Sequence, residues 1–553
     1  MCDQKHLSRI LIIIRSAAAI SMARVKSAPD ISPWDWKEGS KNTVDFLFRP
    51  KLPPGLQLHF DSDSSVLDFF TAYISEDMLK SLVTQTNLFA RQKKYKWKYG
   101  GKLTLSELKK FIGLTLAMGI TRQPSLIDYW TKEDIQHMPF FSKIMSKNRF
   151  KEISQFLHVN DNSMAPEPGS PDDDKLFKIR PFLDEFTKNC QQNYVPYQNL
   201  SLDEGTVGFK GQVSFKCYNP NKPEKFHVKL YEVCCAKTGM LVNLEIYAGK
   251  QQVTSIKGAC YDQVMRLLDP LFLDQGYRIF MDNYYSAPVL FLDLLKRLTA
   301  ACGTLRKNRT GVPQQIKTAK LDKGDRLVMH LPKSFDEDTA RLHIVLWKDK
   351  RDVLLLSSAH DGSMVQHRNK RGIVRPKPVI VLKYNKGMGA VDRNDQLTKY
   401  YQYIRRTLKW YRKVLFQLFS MAIVNAYIAY KLTVRKPMTH KKFRLALIHA
   451  LVGSKRQKST RQIPVTRSPL LRLHERHFPS RIDSDNADKR RICVVCSSVS
   501  GKRDKPGAQK RSQKSAFECS DCDVGLCIDP CFKLYHTEND YKDAYKALRL
   551  HDH

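Results

Sequence analysis

The residues best suited to chemistry in this chain fall into two sets. The first is a set of aspartates. Asp203 ends a short alternating run through Leu200 and Leu202, and Asp282 follows the apolar stretch Tyr277–Met281. Asp392 opens a helical pattern, with Asp395 one turn later on the same face. Each lies at the end of an expected element, where separate segments can converge on one edge of a sheet. Converging carboxylates repel one another unless cations sit between them. Mg²⁺ suits such a site because it takes hard oxygen ligands and needs few of them from protein. Two ions about 3.5–4 Å apart would clamp the attacking and leaving oxygens of an in-line phosphoryl displacement. Spacing alone also fits ordinary capping aspartates.

The second set is a Cys/His run. Cys493 and Cys496, Cys519 and Cys522, Cys527 and Cys531, and then His536 have the paired short spacings of tetrahedral Zn²⁺ sites. Two four-ligand sites need one more ligand. His477 is the first candidate and His474 the second. A cross-brace is expected, with the first and third pairs sharing an ion. A plain ribbon using Cys493, Cys496, Cys519 and Cys522 is the alternative. A RING-type ligase would share the cross-brace, but the basic loop Lys502–Lys514 favours DNA. Cys190, Cys217, Cys234, Cys235, Cys260 and Cys302 read as buried thiols.

The positioning elements can be read from periodicity. Val66–Tyr73, Leu79–Leu88 and Leu105–Met118 repeat apolar residues at helical spacing, and Lys175–Tyr194 continues as helix. Val213–Tyr218, Phe226–Cys234 and Met240–Tyr247 read as strands, Ala259–Phe272 as a helix, Tyr277–Met281 as a strand and Pro288–Leu298 as a helix. Antiparallel strands followed by crossover helices predict a mixed sheet. Strand-like runs within 304–375 break that order and predict an inserted β-rich module. Val379–Leu382 is expected to resume as a strand. Gly387 and Gly389 then turn the chain into a helix starting near Val391. The expected domains are a disordered extension over 1–44, a helical segment over 45–195, core parts over 196–303 and 376–450, the 304–375 insertion, a basic linker over 451–488 and a zinc module over 489–540. Trp34 and Trp36 have no reading in sequence terms.

Composition narrows the partners. The chain has 553 residues, 93 Lys+Arg against 55 Asp+Glu, and a net charge of +38. Its 42% hydrophobic content rules out a wholly disordered tail. Thirteen Cys are too few for a disulfide scaffold of this length. The basic surplus points to a polyanion, and nucleic acid is favoured over an anionic membrane because no amphipathic anchor or lipidation motif stands out. Arg9, Arg15 and Arg24 faintly suggest a transit peptide, against a plain extension upstream of an alternative start at Met22.

The residues around the aspartates carry a family resemblance. Asn199–Glu204, Phe209–Gly211 and Cys217–Pro223 resemble the first catalytic block of piggyBac-family DDE/D transposases. Met281–Tyr285, Ala301–Thr304 and Arg306–Arg309 resemble the second. Tyr384–Asp392 with Asp395 and Gln396 resembles the third, and the terminal Cys/His block matches the same family. The resemblance covers roughly 45–540. It implies an RNase H-like mixed-sheet α/β core with an inserted domain, flanking helical dimerisation and DNA-binding segments, and a C-terminal zinc module that reads transposon ends. The family's metal-binding aspartates fall on Asp203, Asp282 and Asp392, with a further catalytic aspartate on Asp395. The implied cofactors are two Mg²⁺ per active site and two Zn²⁺ in the module. The implied reaction is cut-and-paste transposition at TTAA targets through hairpinned ends, by a homodimer acting on terminal inverted repeats in the nucleus. One departure is Gly205-Thr206 after Asp203-Glu204, where relatives often carry a longer polar or apolar side chain.

Two basic stretches are candidate DNA contacts. Arg405, Arg406, Lys409, Arg412 and Lys413 interleave with Tyr401, Tyr403, Trp410 and Tyr411, a pattern suited to backbone tracking and base stacking. Arg306, Lys307 and Arg309 stand close after the second aspartate block. Ser454–Lys458 and Lys502–Arg511 are candidate nuclear-import signals. The competing reading is a domesticated, catalytically silent DNA-binding or chromatin protein on the same scaffold. An unrelated metal-dependent nuclease would not account for the insertion and the zinc module together.

Overall fold

A computed structural model describes residues 34–453 apart from 62, 134, 251–253, 334–335, 370 and 404, and then 473, 477–482, 490–499 and 513–551. The N-terminal targeting signal, Met22, His474 and both import stretches lie outside these residues. The chain divides into two compact units at Ser454.

The first unit is built on one large mixed sheet. Its centre is five strands: β1 (Asn199–Gly208), β2 (Phe226–Cys235), β3 (Leu241–Ile246), β4 (Arg278–Met281) and β5 (Ala300–Thr304). β1, β2 and β3 pair antiparallel in sequence order. β4 lies parallel to β1 on its other side, and β5 parallel to β4. The resulting order 3-2-1-4-5 is RNase H-like. Short turns suffice for the antiparallel part, whereas parallel strands require crossovers. These include the helices α6 (Ala259–Leu268) and α7 (Pro288–Lys296); the longer helices before them, beside the short Pro139–Ile144, are five: α1 (Val66–Thr71), α2 (Glu76–Gln92), α3 (Leu105–Ile120), α4 (Lys147–Phe156) and α5 (Arg180–Asn193). Local signals begin several of the five. Ser65 and Thr104 each form a capping box with the carboxylate three residues on, and Ser75 and Ser146 cap the helices that follow them.

The long strands of 304–375 do not form a sheet of their own. β6 (Arg326–Lys333), β7 (Asp336–Lys348) and β8 (Asp352–Ser357) extend the central sheet through β8–β5 pairing. Part of the stretch expected as an extension over 1–44 is built into the sheet. Lys37–Glu38 pairs with β6 and Asn42–Thr43 with β7. Trp36 is buried and donates to the Gly311 carbonyl at 2.8 Å, with Trp34 stacked on it. Gly311, at φ +87, lies so close under the Trp34 ring that a side chain there would clash.

Val379–Leu382 is a second correction. It starts a helix, α8 (Val379–Met388), not a strand. Pro378 precedes the helix in extended conformation, and a proline at a helix start gives up only a donor that would be unpaired there. The β-branched run therefore misleads, because Ile380 and Val381 are buried by tertiary packing. Gly387 allows that packing: a Cβ there would run into the Phe280 ring. α9 (Ala390–Tyr400), α10 (Trp410–Thr433) and α11 (His440–Val452) follow. α10 is long and apolar enough to cross a membrane, yet 83% of its apolar window is buried inside the protein. Asn425 in its middle bonds both the amide and the carbonyl of Leu241, at 3.0 and 2.9 Å, fixing the helix to β3.

The second unit begins earlier than the expected residue 489. Pro479–Arg481 pairs with Phe517–Cys519, which pairs with Val524–Gly525. The helix Tyr541–His551 extends the unit past 540, with Tyr545 in its core beside Val495, Leu526 and Tyr535.

Candidate active site and metal-ligand clusters

Sheet topology places the aspartates. Asp203 lies in β1, and Asp282 directly follows β4, its parallel neighbour. Asp392 lies in the first turn of α9. Two sets of contacts hold that turn beside the sheet. The buried Ser201 hydroxyl, two residues before Asp203, donates to the Met388 carbonyl at the end of α8. Arg393 and Asn394 donate to the carbonyls of Ala236 and Gly239 in the β2–β3 turn, at 2.6 and 2.9 Å.

The carboxylates have unequal surroundings. Asp203 is half-buried, and its carboxyl is pushed up to about 7 by burial and by repulsion from Asp282 and Asp392. Its Oδ1 accepts the Glu204 amide at 2.8 Å. Burial also raises Asp282, whose Oδ1 accepts the Tyr284 amide at 2.8 Å. Asp392 is exposed. Asp395 Oδ2 takes the Lys399 ammonium at 2.7 Å, while its Oδ1 is buried without a hydrogen-bond partner. Among the described residues, the aspartates are not drawn within 4.8 Å of one another as a set. Their donor chemistry still fits a hard divalent cation, which would relieve the repulsion around Asp203.

Sequence reasoning missed Glu232. It lies on β2 directly opposite Asp203. It is fully buried, and neither carboxyl oxygen has a partner. Burial drives its pKa well above the usual carboxylate range, aided by the charges of Asp395 and Asp203. The unusual Gly205 now has a physical reason, since a side chain there would occupy the space of the Glu232 carboxyl. An acid inside the otherwise uncharged run Leu230–Cys235 was the available signal; its register against Asp203 was not.

The basic candidates fall into different roles. Arg412 is corrected: it is buried, and its guanidinium donates to the carbonyls of Ser154, Gln155 and Leu157, closing the C-terminal end of α4. Arg405 is likewise used internally, donating to the carbonyls of Gln123, Pro124 and Ser125 with its guanidinium 5.2 Å over the Tyr129 ring. Arg406 is exposed and lines a cleft with Lys151 and Lys413. Lys409 sits 4.9 Å over Phe89, and burial and nearby cations lower its ammonium to about 8. Trp410 packs edge-on against Phe215. Arg306 and Arg309 brace the Asp282 loop, Arg306 through the Asn283 side chain at 2.9 Å and Arg309 through the carbonyls of Asn283 and Tyr284. Lys307 pairs with Asp352 at 3.1 Å.

In the second unit, Cys493, Cys496, Cys527 and Cys531 form one group, and His477, Cys519, Cys522 and His536 the other. All ligand atoms within each group lie within 4.8 Å of one another. The first and third Cys pairs meet, as a cross-brace requires. The His536 Nδ1 is tied to the Phe532 carbonyl at 2.8 Å, which turns Nε2 toward Cys522 at 3.6 Å. His477 Nδ1 faces Cys519 and Cys522 at 3.5 and 3.6 Å. Four soft sulfur or imidazole donors at each site fit structural Zn²⁺.

The family described as Transposase IS4 matches residues 65–427, and a DDE_Tnp_1-like zinc finger matches 472–537. The chain belongs to this transposase family. Its piggyBac character is carried by the relatives. Human PiggyBac transposable element-derived protein 3 is 26% identical over 537 residues, covering 91% of this chain and 81% of the relative. Human PiggyBac transposable element-derived protein 5 is 24% identical over 405 residues, covering 69% of this chain and 72% of the relative. A piggyBac transposase in a synaptic complex with hairpin DNA shares the fold, with a TM-score of 0.64 at 23% identity, over 86% of this chain and 99% of that one.

Proposed function

We propose that this piggyBac-type protein is a DNA transposase that cuts and joins at TTAA targets through hairpinned transposon ends. The observation that carries the proposal is the placement of Asp203 on β1 and of Asp282 just after the parallel β4, with Asp392 in the first turn of α9 near enough to raise the Asp203 carboxyl. These residues would hold two divalent ions, with Mg²⁺ preferred for their hard oxygen donors. Bound there, the ions stabilise charge on the attacking and leaving oxygens. Each chemical step exchanges one P–O bond for another. Water first displaces a 3′-oxygen at the transposon end. The freed hydroxyl then attacks the opposite strand and closes a hairpin, a second water opens the hairpin and frees a 3′-hydroxyl again, and that hydroxyl attacks the target. The protein supplies no covalent nucleophile. Its contribution is positioning: the Glu204 and Tyr284 amides fix two carboxylates, and Lys399 fixes Asp395.

Zinc at the two Cys/His sites would shape the module that reads transposon ends. Arg306, Lys307, Arg309, Arg406, Lys409, Trp410 and Lys413 remain the proposed DNA contacts. The helices of 45–195 and those after Tyr400 would serve dimerisation and DNA binding, and a DNA substrate places the protein in the nucleus.

The test uses the purified full chain with Mg²⁺ and DNA carrying its own genomic flanks and TTAA. Wild type should give hairpinned ends and Asp282→Ala none. Tight binding without cleavage by wild type would replace this reading with a catalytically silent DNA-binding protein. Failure to bind at all would remove both.

A further inference from the structure

Between β8 and α8 the chain forms a two-stranded antiparallel ribbon, Met364–Arg368 with Val374–Pro378, that is not part of the large sheet. The sequence from Met364 to Pro378 carries Arg368, Lys370, Arg371, Arg375 and Lys377 and no Asp or Glu. The tip is firmly built. Asn369 exchanges backbone bonds with its turn, and its side-chain oxygen accepts the amides of Arg371 and Ile373 at 2.9 and 3.0 Å. Arg368, Arg371 and Arg375 are exposed, and among the described residues none has an acidic partner. Arg371 and Arg375 border an open cleft of about 530 Å³ together with Lys350 from the β7–β8 turn. A cationic arm whose exposed arginines have no acidic partner among the described residues is suited to meet an anion.

The geometry points to duplex DNA as the occupant. We propose that this ribbon is a backbone clamp that contacts phosphates of the duplex beside the catalytic edge, independent of sequence. A two-stranded ribbon matches the width of the major groove. Its position matches as well. Pro378 runs directly into α8, whose far end is tied to Ser201, two residues before Asp203. Ten helical residues span about 15 Å, roughly four to five base pairs of duplex. DNA lying at the aspartates therefore extends to the ribbon. On the second strand's edge a peptide strand is the weaker candidate. The outward-facing positions of the second strand are 374, 376 and 378, and two of these are prolines with no N–H to donate.

The inference rests on the DNA-processing reading, and its test separates the two. Binding of the full-length protein is measured against salt on two duplexes, one carrying the chain's own genomic flanks and one of unrelated sequence. The triple variant Arg368→Ala/Arg371→Ala/Arg375→Ala should bind both duplexes about 10-fold more weakly, with the slope of log affinity against log salt reduced by about 3. The corresponding Lys triple, which keeps the point charges, should restore the slope. An unchanged slope in the Ala triple overturns the clamp while leaving the transposase reading intact. A loss confined to one duplex, or a Lys triple as weak as the Ala triple, overturns a sequence-independent charge contact. Wild type that binds neither duplex defeats the underlying reading instead.

Discussion

The aspartate site and the Cys/His module gather metal ligands by opposite means. In the module the ligands come in local pairs, and only His477 arrives from a distance. Within each group the ligand atoms already lie within 4.8 Å, and the surrounding core is small. At the aspartate site the residues come from β1, the end of β4 and α9, and the sheet holds them in place. There the carboxylates repel one another. On the proposed reading, zinc would help fold the module, whereas the aspartate site would take its metal into a sheet-built frame for chemistry.

Chelation is the strongest way to break this comparison. Removing two Zn²⁺ should unfold residues 477–551, with a loss on the order of 10 kcal/mol, and leave the first unit's melting transition in place. Segment-resolved hydrogen exchange would show it, and a module that stays protected would contradict a metal-dependent fold. Next in size is Asp282→Ala, for which DNA cleavage should fall at least ~10³-fold, about 4 kcal/mol of barrier, with melting and DNA affinity unchanged. A collapse of stability would make Asp282 structural.

Asp203→Asn sharpens the contrast from the other side. The Asp203 carboxyl titrates near 7 in the fold against 3.8 in the unfolded chain, so the folded protein holds a proton that the unfolded chain releases between those values. Stability of the metal-free protein therefore falls as pH rises through that window, by up to about 4 kcal/mol. The Asn variant should be more stable than wild type at pH 8 and equal to it near pH 4; equal melting temperatures at pH 8 would refute the strain. The smallest expected effect comes from Gly387→Ala. The added methyl pushes α8 off Phe280, costing about 1–3 kcal/mol, and should reduce cleavage more than DNA binding because α8 leads to Asp392. Unimpaired cleavage would show that the placement of Asp392 does not depend on this contact.

The contrast also decides what the sequence could show. The Cys pairs announce themselves because their chemistry is local. Asp282 was legible as a strand-end residue, whereas Asp203, expected to end its strand, lies in the middle of β1; nothing in the spacing placed Glu232 opposite it, because cross-strand register is set by the whole sheet. Val379–Leu382 looked like a strand because its residue types record burial, which a helix packed on a sheet demands equally. Arg412 looked like a DNA contact because its charge was visible and the carbonyls at the end of α4 were not.

The prolines of the ribbon have a consequence beyond this chain's own fold. An exposed strand edge ordinarily invites other chains to add on, and long basic arms spend time away from DNA. With Pro376 and Pro378 at outward positions, that edge presents Val374 as its one free amide donor in the strand. That edge of the arm is thus guarded against strand addition.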